Sequence, residues 1–471
     1  MKLFPRTLAS ALLLVAASAQ AQVPGTLSDT QAADGMTNVI LIIGDGMDEQ
    51  QITIARNYLK GATGKLTLDK LPLRSASQVL TIEDKVGGAP VYVADSANTA
   101  TSMATGEVTS RGRISTTAGN DKDIPTIAEL AIAAGYRAGI VTTASVTDAT
   151  PAAFAAHISY RLCENPDIVE HVEYSGIDLG GCPQDARKNG GPGAISEQLA
   201  ESRLSVILGG GSKHFLVNAE GKNDSVMNLA RDNGFQVVQS TNELLAAEAG
   251  QPLLGLFSES TMPVRLQGED GRQAEKPDPS FLNMVHEYLG DVALPEVMEC
   301  EPNPLFADMP SLKQMTAVAL EHLSAKNDKG FFLMVESASI DKQSHERKPC
   351  GSIGELGQLD EALDSALAFA RKHPNTLILV TADHSQAAQL IPYESLYAKY
   401  PIPIYTPGYL ASIKTPEGSV MSVNYATTTF MMEEHTGAAV PLFANAQGKG
   451  KVTSYVQQPE IFSIMKDYLG L

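Results

Sequence analysis

The feature that most constrains the fold is an alternation of short, mainly apolar runs with segments of helical periodicity. Four runs have the length and composition of buried strands; they are Val39 to Ile43, Ala138 to Thr142, Phe331 to Val335 and Thr376 to Val380. Three segments space their apolar residues three and four apart, as helices do; they are Thr126 to Ala134, Leu312 to Leu323 and Leu359 to Ala370. This alternation predicts an α/β fold with a large, mostly parallel central sheet and helices on both faces.

The N-terminus has the pattern of a secretory signal peptide. Lys2 and Arg6 precede an apolar run that is too short to span a bilayer, and Ala19-Gln20-Ala21 follows it. We therefore predict cleavage after Ala21 and a periplasmic or secreted product. No later stretch reaches the roughly 18–20 apolar residues of a membrane helix, so we expect no membrane association.

Length alone would allow the 471 residues to form several domains. The sequence nevertheless contains no Pro/Ser-rich linker, no internal repeat and no low-complexity block. We therefore predict a signal peptide at residues 1–21 and a single domain at residues 22–471.

Secretion also permits disulfides, and four cysteines allow three pairings, among which the sequence alone does not decide. We favour the two local pairs, Cys163 with Cys182 and Cys300 with Cys350. A zinc ribbon is the alternative, but it is disfavoured because no two cysteines lie two to four residues apart.

The chain is acidic, with 35 Lys and Arg against 54 Asp and Glu and a formal charge of −19. Removal of the signal peptide, with its Lys2 and Arg6, lowers this charge by two to −21. Such a surface repels phosphate backbones and disfavours nucleic acid as a partner. An anionic substrate would need local positive charge from metal ions or an arginine.

Carboxylate, hydroxyl or imidazole side chains follow all four predicted strands. Parallel strands bring their carboxyl ends to one edge of a sheet, where ligands bind. In chain order these residues are Asp45, then Asp148 and Thr150, then Glu336, Asp341 and His345, and finally Asp383 and His384. One acid after a strand is usually a helix N-cap. Because several unpaired carboxylates in one place repel each other, the full set indicates that cations bind between them.

The residue types indicate which cations bind. Asp341 and His345 are four apart, which places them on one face of a helical turn, and Asp383 and His384 are adjacent in a loop. Mixed imidazole and carboxylate ligands suit zinc, whereas an all-oxygen set such as Asp45, Thr150 and Glu336 suits magnesium. His435 is the third histidine of the candidate set, although on its own it has the pattern of a surface loop residue.

The stretch "VADSANTATSMATG" at residues 93–106 holds five hydroxyl side chains. Taken alone, it is typical of a helix of small residues that packs close to a sheet. Because metal ligands are predicted nearby, one hydroxyl of this stretch becomes a candidate nucleophile, since a bound cation lowers the pKa of a hydroxyl. The hydroxyl beside Asp95 at the start of a predicted helix belongs to Ser96, and the other four hydroxyl residues are predicted to have packing roles.

Six motifs follow one another along the chain: "LIIGDGM", "ADSANTATSMATG", "VTDATPAAFAAHISYRLC", "VESASIDKQSH", "VTADH" and "EEHTG". Together and in this order they resemble the periplasmic alkaline phosphatases of bacteria. The resemblance covers the chain from about Asn38 to the C-terminus and includes the placement of the cysteines. It implies hydrolysis of small phosphate monoesters through a phosphoserine intermediate, and it implies a homodimer.

The resemblance also implies a role for each site residue. Ser96 would be the nucleophile, and Arg161 would clamp the phosphate. The implied metal ligands are Asp341, His345 and His435 for one zinc ion, Asp383, His384 and Asp45 for a second zinc ion, and Asp45, Thr150 and Glu336 for one magnesium ion. Asp148 would act on the magnesium, and Lys342 on the substrate, without direct contact with the ion, through waters or the bound phosphate. Gln386 departs from the family, which commonly has a histidine there, but glutamine can still donate a hydrogen bond to a carboxylate such as Asp341.

Three alternatives remain. A phosphodiesterase or a sulfatase could use the same metal scaffold, although the Cys/Ser-x-Pro-x-Arg core of a sulfatase is absent from the sequence. A periplasmic metal- or phosphate-binding protein without turnover is the third, and Ser96 and Arg161 disfavour it.

The glycines at positions 209–211 lack the Gly-Lys-Ser/Thr ending of a nucleotide loop, so we predict a turn there.

Overall fold

The computed structural model describes residues 35–471, so the predicted signal peptide lies outside the described residues. Its centre is a ten-stranded sheet in the lateral order β10-β2-β9-β8-β1-β7-β3-β4-β6-β5. In chain order these strands are β1 (Thr37–Gly44), β2 (Leu73–Gln78), β3 (Arg137–Ser145), β4 (Val206–Gly210), β5 (Gln236–Val238), β6 (Leu253–Leu256), β7 (Gly330–Ser337), β8 (Thr376–Ala382), β9 (Val440–Ala444) and β10 (Tyr455–Gln457). Nine strands share one direction, and β9 runs antiparallel to both of its neighbours.

The four apolar runs identified in the sequence are confirmed as strands. They form β1, β3, β7 and β8, which lie side by side in the middle of the sheet and pair in parallel. All four are buried along almost their entire length, as expected of strands that are covered on both faces.

The described residues contain the following α-helices: α1 (Glu49–Lys60), α2 (Ser96–Thr105), α3 (Ile127–Ala133), α4 (Ala149–Ala152), α5 (Ile195–Ala200), α6 (Lys213–Leu216), α7 (Val226–Asp232), α8 (Thr241–Ala246), α9 (Phe281–Val285), α10 (Leu312–Ser324), α11 (Ser339–His345), α12 (Pro349–Lys372) and α13 (Gln458–Leu469). The three helices predicted from periodicity are confirmed as α3, α10 and α12. However, α12 begins at Pro349 rather than at Leu359. Glycines weaken the helical signal in its first turns, yet they permit close packing: a Cβ at Gly351 would lie 2.0 Å from the side-chain oxygen of Gln343.

The helices cover both faces of the sheet. Alternate residues of β1 point to opposite sides: Val39, Leu41 and Ile43 join one apolar core, and Ile40 and Ile42 join the other. The first core also contains residues of α2, α3 and α13, and the second contains residues of α1, α10 and α12. The predicted architecture, with a central sheet between two helical layers, is confirmed.

Smaller elements lie outside the central sheet. A three-stranded antiparallel sheet consists of Gln389–Ile391, Tyr409–Lys414 and Val420–Tyr425. The two-stranded ladders pair Thr81–Ile82 with Pro90–Val91, Glu173–Tyr174 with Ile177–Asp178, Leu266–Gly268 with Cys300–Pro302, and Asp278–Pro279 with Val292–Ala293. The 3₁₀ helices are Leu68–Lys70, Arg187–Asn189, Glu269–Gly271, Pro304–Phe306 and Ala446–Gly448.

Both favoured disulfides are present, between Cys163 and Cys182 and between Cys300 and Cys350. The first joins two loop residues, and the second joins the ladder strand Cys300–Pro302 to α12. Within residues 35–471, no helix is both long and apolar enough to cross a membrane.

The prediction of a turn at the three consecutive glycines is wrong for two of them. Gly209 and Gly210 are the last residues of β4, and only Gly211 has a positive φ, of 94°. A Cβ at Gly210 would lie 1.9 Å from the carbonyl oxygen of Ser260. The glycines therefore serve close packing at the end of a strand, a role that composition alone does not distinguish from a turn.

Candidate active site

The predicted site residues meet at the carboxyl ends of the four central strands. Asp45 directly follows β1, and Asp383 and His384 directly follow β8. Glu336 is the next-to-last residue of β7, and α11 follows with Asp341 and His345 one turn apart. The turn after β3 carries Asp148 and Thr150 at the start of α4, and the loop before β9 carries His435.

Two groups of side chains have the spacing of metal ligands. The ligand atoms of Asp341, His384 and His435 lie within 4.8 Å of one another, and those of Asp45, Asp383 and His384 do too. His345 Nε2 lies 3.3 Å from Asp341 Oδ2 and 3.0 Å from His435 Nε2. The structure thus brings the residues of both predicted zinc sets together, and His384 lies where the two sets meet.

Unpartnered oxygens at this point test whether a cation fits. Asp45 Oδ1 and Asp383 Oδ2 are buried and accept no hydrogen bond. His384 Nε2 lies 3.3 Å from the first, 3.4 Å from the second and 3.2 Å from Ser96 Oγ. One ring nitrogen satisfies one such oxygen at a time, and buried polar atoms without partners are costly. A divalent cation would satisfy the nitrogen and both carboxylates, so these residues fit a metal site.

The carboxyl groups of Asp45, directly after β1, and of Glu336, near the end of β7, resist ionisation. Burial, followed by the charges of Asp383, Asp341 and Glu336, raises the pKa of Asp45 well above its ordinary value. Burial also raises the pKa of Glu336 to about 8, although a hydrogen bond from Thr142 opposes this shift. These shifts have the sign expected for buried acids that lie close together, and a cation bound between them would oppose the shifts.

The pKa values of His345 and His435 shift in opposite directions, and both histidines act on Asp341. Burial opposes the ionisation of Asp341, but His345 and then His435 hold its pKa well below its ordinary value. Against the effect of burial, Asp341 raises the pKa of His345. Burial and the neighbouring His384 ring, whose centroid is 3.6 Å away, lower the pKa of His435 to about 3. His435 is therefore neutral at neutral pH, the form that binds metals.

The all-oxygen set is also assembled. Thr150 is 1% exposed, and its hydroxyl faces Glu336 without making a hydrogen bond of normal geometry. The charge of Glu336 in turn contributes to the raised pKa of Asp45. Carboxylate and hydroxyl oxygens of this kind suit magnesium.

The structure distinguishes Ser96 from the other hydroxyl residues of its segment. Asp95 is the N-cap of α2 and forms a capping box with Asn98, so Ser96 is the first residue of the helix and is 3% exposed. The remaining hydroxyl groups donate to backbone carbonyls; they belong to Thr99, Thr101, Ser102 and Thr105. As predicted, those four residues make packing and helix contacts.

Positive charge enters the site beside Ser96. Arg161 contacts Asp148 at 2.9 Å and Asp95 at 3.3 Å, and the ammonium group of Lys342 donates to Asp148. Although burial opposes both shifts, Asp148 raises the pKa of Arg161 and that of Lys342. Conversely, the two cations hold the pKa of Asp148 far below its usual range, against the effect of burial. All three groups are therefore ionised at neutral pH.

Comparison with known proteins agrees with this geometry. The family described as alkaline phosphatase matches residues 36–430 of the chain. The chain belongs to the alkaline phosphatase family. An alkaline phosphatase of Escherichia coli strain K12 is 40% identical over 94% of this chain and 88% of its own length. A streptomycin-6-phosphate phosphatase of Streptomyces griseus is 37% identical, over 98% of this chain and 96% of its own length.

Solved structures show the same fold. The alkaline phosphatase of the Antarctic bacterium TAB5 superposes with a TM-score of 0.64 at 21% identity, covering 92% of this chain and 99% of that one. The alkaline phosphatase of Thermus thermophilus gives a TM-score of 0.62 at 20% identity, covering 93% and 92%. At these identities the likeness establishes the alkaline phosphatase fold.

The position that departs from the family pattern contacts the site as predicted. Gln386 Nε2 donates to Asp341 Oδ1 at 2.6 Å, and Gln386 is fully buried. Sequence analysis did not identify the residue that holds this segment, Asp48. Its carboxylate accepts from Ser385 Oγ at 2.6 Å and from the Gln386 backbone N–H at 3.3 Å.

Asp48 also caps α1, accepting from the backbone N–H groups of Gln50 and Gln51. An acidic residue before a helix is a recognisable N-cap. Its link to Gln386, however, spans 338 positions in the chain. Similarly, Gln458 on α13 donates to the backbone carbonyl of Asp383, and no local pattern indicates that contact.

Proposed function

We propose that this member of the alkaline phosphatase family hydrolyses phosphate monoesters in two steps, through a phosphoserine on Ser96. In the first step Ser96 Oγ attacks phosphorus, the ester P–O bond breaks, and the leaving oxygen takes a proton to become an alcohol. In the second step water attacks the phosphoserine, inorganic phosphate leaves, and Ser96 Oγ regains a proton. The observation that carries this proposal is the position of Ser96 Oγ, 3.2 Å from His384 and adjacent to buried, unpartnered carboxylate oxygens.

We propose that two zinc ions and one magnesium ion occupy the site. Asp341, His345 and His435 would hold the first zinc ion. Asp383, His384 and Asp45 would hold the second, and Asp45, Thr150 and Glu336 would hold the magnesium ion. When bound, these cations supply the positive charge that makes the serine hydroxyl and water more acidic and stabilises the charge developing on the reacting oxygens.

The chain's own cations would orient the phosphoryl group. Arg161 presents paired N–H donors to two non-bridging oxygens, a match of geometry and charge that lysine does not offer. Its contacts with Asp95 and Asp148 hold the guanidinium in place before substrate arrives. Lys342, tied to Asp148, places a second positive charge on the same side.

The N-terminus of α2 would assist. Ser96 occupies the first position of this ten-residue helix, where backbone N–H groups and the helix dipole favour an anion. A monoester leaves enough free phosphate oxygens for Arg161 and these donors together. A diester has one free oxygen fewer, so we expect monoesters to be preferred.

We also propose that the mature enzyme spans residues 22–471 and resides in the periplasm or is secreted, because the N-terminus has the pattern of a signal peptide. We further propose that it acts as a homodimer, as the resemblance implies. One support for an interface is a set of large, exposed apolar side chains that includes Phe281, Met284, Leu396 and Tyr397. Sedimentation equilibrium of the purified protein tests this, since the full chain has a mass of 50.0 kDa and a mass no higher than that at all concentrations would contradict the dimer.

Acid-quenched turnover tests the central proposal. Protein incubated with p-nitrophenyl phosphate and denatured in acid should carry one covalent phosphate, which peptide mass spectrometry should place on Ser96. Covalent phosphate on another residue during full turnover would overturn the assignment. Faster hydrolysis of bis(p-nitrophenyl) phosphate than of the monoester would indicate a diesterase instead.

A further inference from the structure

Behind Asp148 and Arg161, a second contact joins the two loops that carry them. Glu164 lies three residues after Arg161, and its Oε2 accepts a hydrogen bond from Thr147 Oγ1 at 2.5 Å. Thr147 is fully buried and immediately precedes Asp148. The two loops are thus tied twice, once through Arg161 and Asp148 and once through Glu164 and Thr147.

A buried histidine fixes the position of Glu164. His214, which is 4% exposed, places Nε2 2.9 Å from the same Glu164 oxygen. Asn165 Oδ1 accepts from the backbone N–H of Asp167 at 3.0 Å, which turns its amide nitrogen toward His214 Nδ1, 2.9 Å away. Because an amide nitrogen only donates, Nδ1 is the acceptor, and the ring proton is on Nε2, facing Glu164.

The hydrogen bonds continue on the other side of Thr147. Ser145 Oγ lies 2.7 Å from Thr147 Oγ1, so Thr147 can accept from Ser145 while it donates to Glu164. Ser145 is the last residue of β3, and its carbonyl accepts from the Asp148 backbone N–H at 3.0 Å. A continuous chain of hydrogen bonds therefore runs from His214 to the strand end beneath Asp148.

The loop that bears Glu164 is itself anchored. The carbonyl oxygens of Cys163 and Glu164 accept from the backbone N–H groups of Ile195 and Ser196 at the start of α5, at 3.2 and 2.9 Å. The Cys163 disulfide adds a covalent tie. Glu164 thus projects from a fixed loop and contacts the turn that carries Asp148.

We infer that Glu164, supported by His214, is a positioning residue for phosphate binding. By fixing Thr147 it fixes Asp148, the carboxylate that orients both Arg161 and Lys342. This inference rests on the proposed function, in which those two cations hold the phosphate. Glu164 acts through Thr147 and does not touch the reacting atoms.

The test compares Glu164→Ala with Glu164→Gln. Both contacts use Oε2, so the amide oxygen of glutamine can accept both hydrogen bonds, whereas alanine loses both and leaves Thr147 and His214 unpaired. We expect Glu164→Ala to raise the KM for p-nitrophenyl phosphate and the inhibition constant of inorganic phosphate together, about tenfold, with kcat changing less than about twofold. Glu164→Gln should stay within about twofold of the wild type in all three.

A second pair of variants keeps the test decisive if Glu164→Ala folds poorly. Thr147→Val keeps the side-chain shape but removes the hydroxyl, and it should raise the inhibition constant as Glu164→Ala does. Thr147→Ser should restore it. The matched control is Glu201→Ala, which breaks an ion pair with Arg187 at 2.7 Å, outside this chain of hydrogen bonds, and should leave both constants unchanged.

Calorimetric titration with inorganic phosphate separates this inference from the proposed function, because it requires no turnover. Weaker phosphate binding in Glu164→Ala and Thr147→Val, with normal binding in Glu164→Gln, supports the inference even if Ser96 is not the nucleophile. Wild-type affinity in both Glu164→Ala and Thr147→Val overturns it. A loss in Glu164→Gln equal to that in Glu164→Ala also overturns it, as does a fall in kcat with unchanged phosphate affinity.

Discussion

The active site has two halves that balance their charges in different ways. The arginine half consists of Asp95, Asp148, Arg161 and Lys342. In it, Asp148 contacts both cations, and all of its ion pairs are made within the chain. The histidine half consists of Asp45, Asp341, His345, Asp383, His384 and His435. There the carboxylates pair with imidazoles, Lys342 adds a further positive charge near Asp45, and two buried oxygens have no hydrogen-bond partner.

This difference indicates which half is complete without a cofactor. The arginine half is neutralised by its own residues and stands ready to hold an anion. The histidine half is left with repelling carboxylates, and burial raises the pKa of Asp45 further. Metal removal should therefore affect the histidine half strongly and the arginine half little.

The largest effect should come from the residue between the halves. Ser96→Ala should lower kcat by about 10³-fold or more, because the variant lacks the hydroxyl that would form the proposed phosphoserine. Metal content should stay near normal, since the serine is not needed to hold the cations. The matched control, Ser102→Ala, removes a buried hydroxyl from the same helix, one that donates to a backbone carbonyl, and should keep activity within about twofold. Substantial turnover by Ser96→Ala would contradict the nucleophile assignment.

A change within the histidine half should remove metal as well as activity. Asp341→Asn should lower bound zinc and reduce kcat/KM by about a hundredfold or more. Plasma mass spectrometry of the dialysed protein, together with initial rates, measures both. Asp360→Asn is the control, because Asp360 is a buried carboxylate that accepts from the Leu68 backbone, and its zinc content should not change. Full zinc retention by Asp341→Asn would place the metal elsewhere.

A change within the arginine half should weaken phosphate binding and spare the metals. Arg161→Ala should lower kcat/KM by about ten- to a hundredfold through lost charge-assisted hydrogen bonds. The inhibition constant of inorganic phosphate should rise in parallel, while zinc and magnesium content stays at the wild-type level. Loss of zinc or magnesium from Arg161→Ala would contradict the proposed difference between the two halves.

The smallest effect should come from Gln386, which supports the histidine half from outside. Gln386→Ala removes the 2.6 Å hydrogen bond to Asp341 and should weaken zinc retention about tenfold in a competition assay with a chelator. Gln386→His, which introduces the residue that the resemblance implies, should retain zinc at least as well as the wild type. The control is Gln389→Ala, because the Gln389 side-chain amide donates to the neighbouring carbonyl of Ala388. Equal zinc retention in Gln386→Ala and the wild type would rule out this supporting role.

Much of the fold could be predicted from the sequence because the central strands are short, continuous apolar runs. Such runs indicate β1, β3, β7 and β8 directly, and the polar residues that follow them mark the edge where they meet. Local signals also sufficed for α2, since a capping residue before small residues defines its start. The start of α12 was predicted too late, because its glycines mask helical periodicity and their packing role is visible only in three dimensions.

What the sequence did not indicate depends on contacts between distant segments. Asp48 and Gln458 contact the loop after β8. Asp48 is a recognisable N-cap, but no local pattern indicates either of these contacts. Glu164 and His214 are 50 residues apart and meet only in the folded chain. The contact of Gln386 with Asp341, in contrast, could be predicted from the resemblance, because the position lies only two residues after His384.

Metal analysis coupled to activity tests the central claim most directly. The purified protein should contain two zinc ions and one magnesium ion per chain and should hydrolyse p-nitrophenyl phosphate. Treatment with a chelator should abolish hydrolysis, and addition of zinc and magnesium should restore it. Full monoester hydrolysis by protein that is shown to be free of zinc and magnesium would contradict the account.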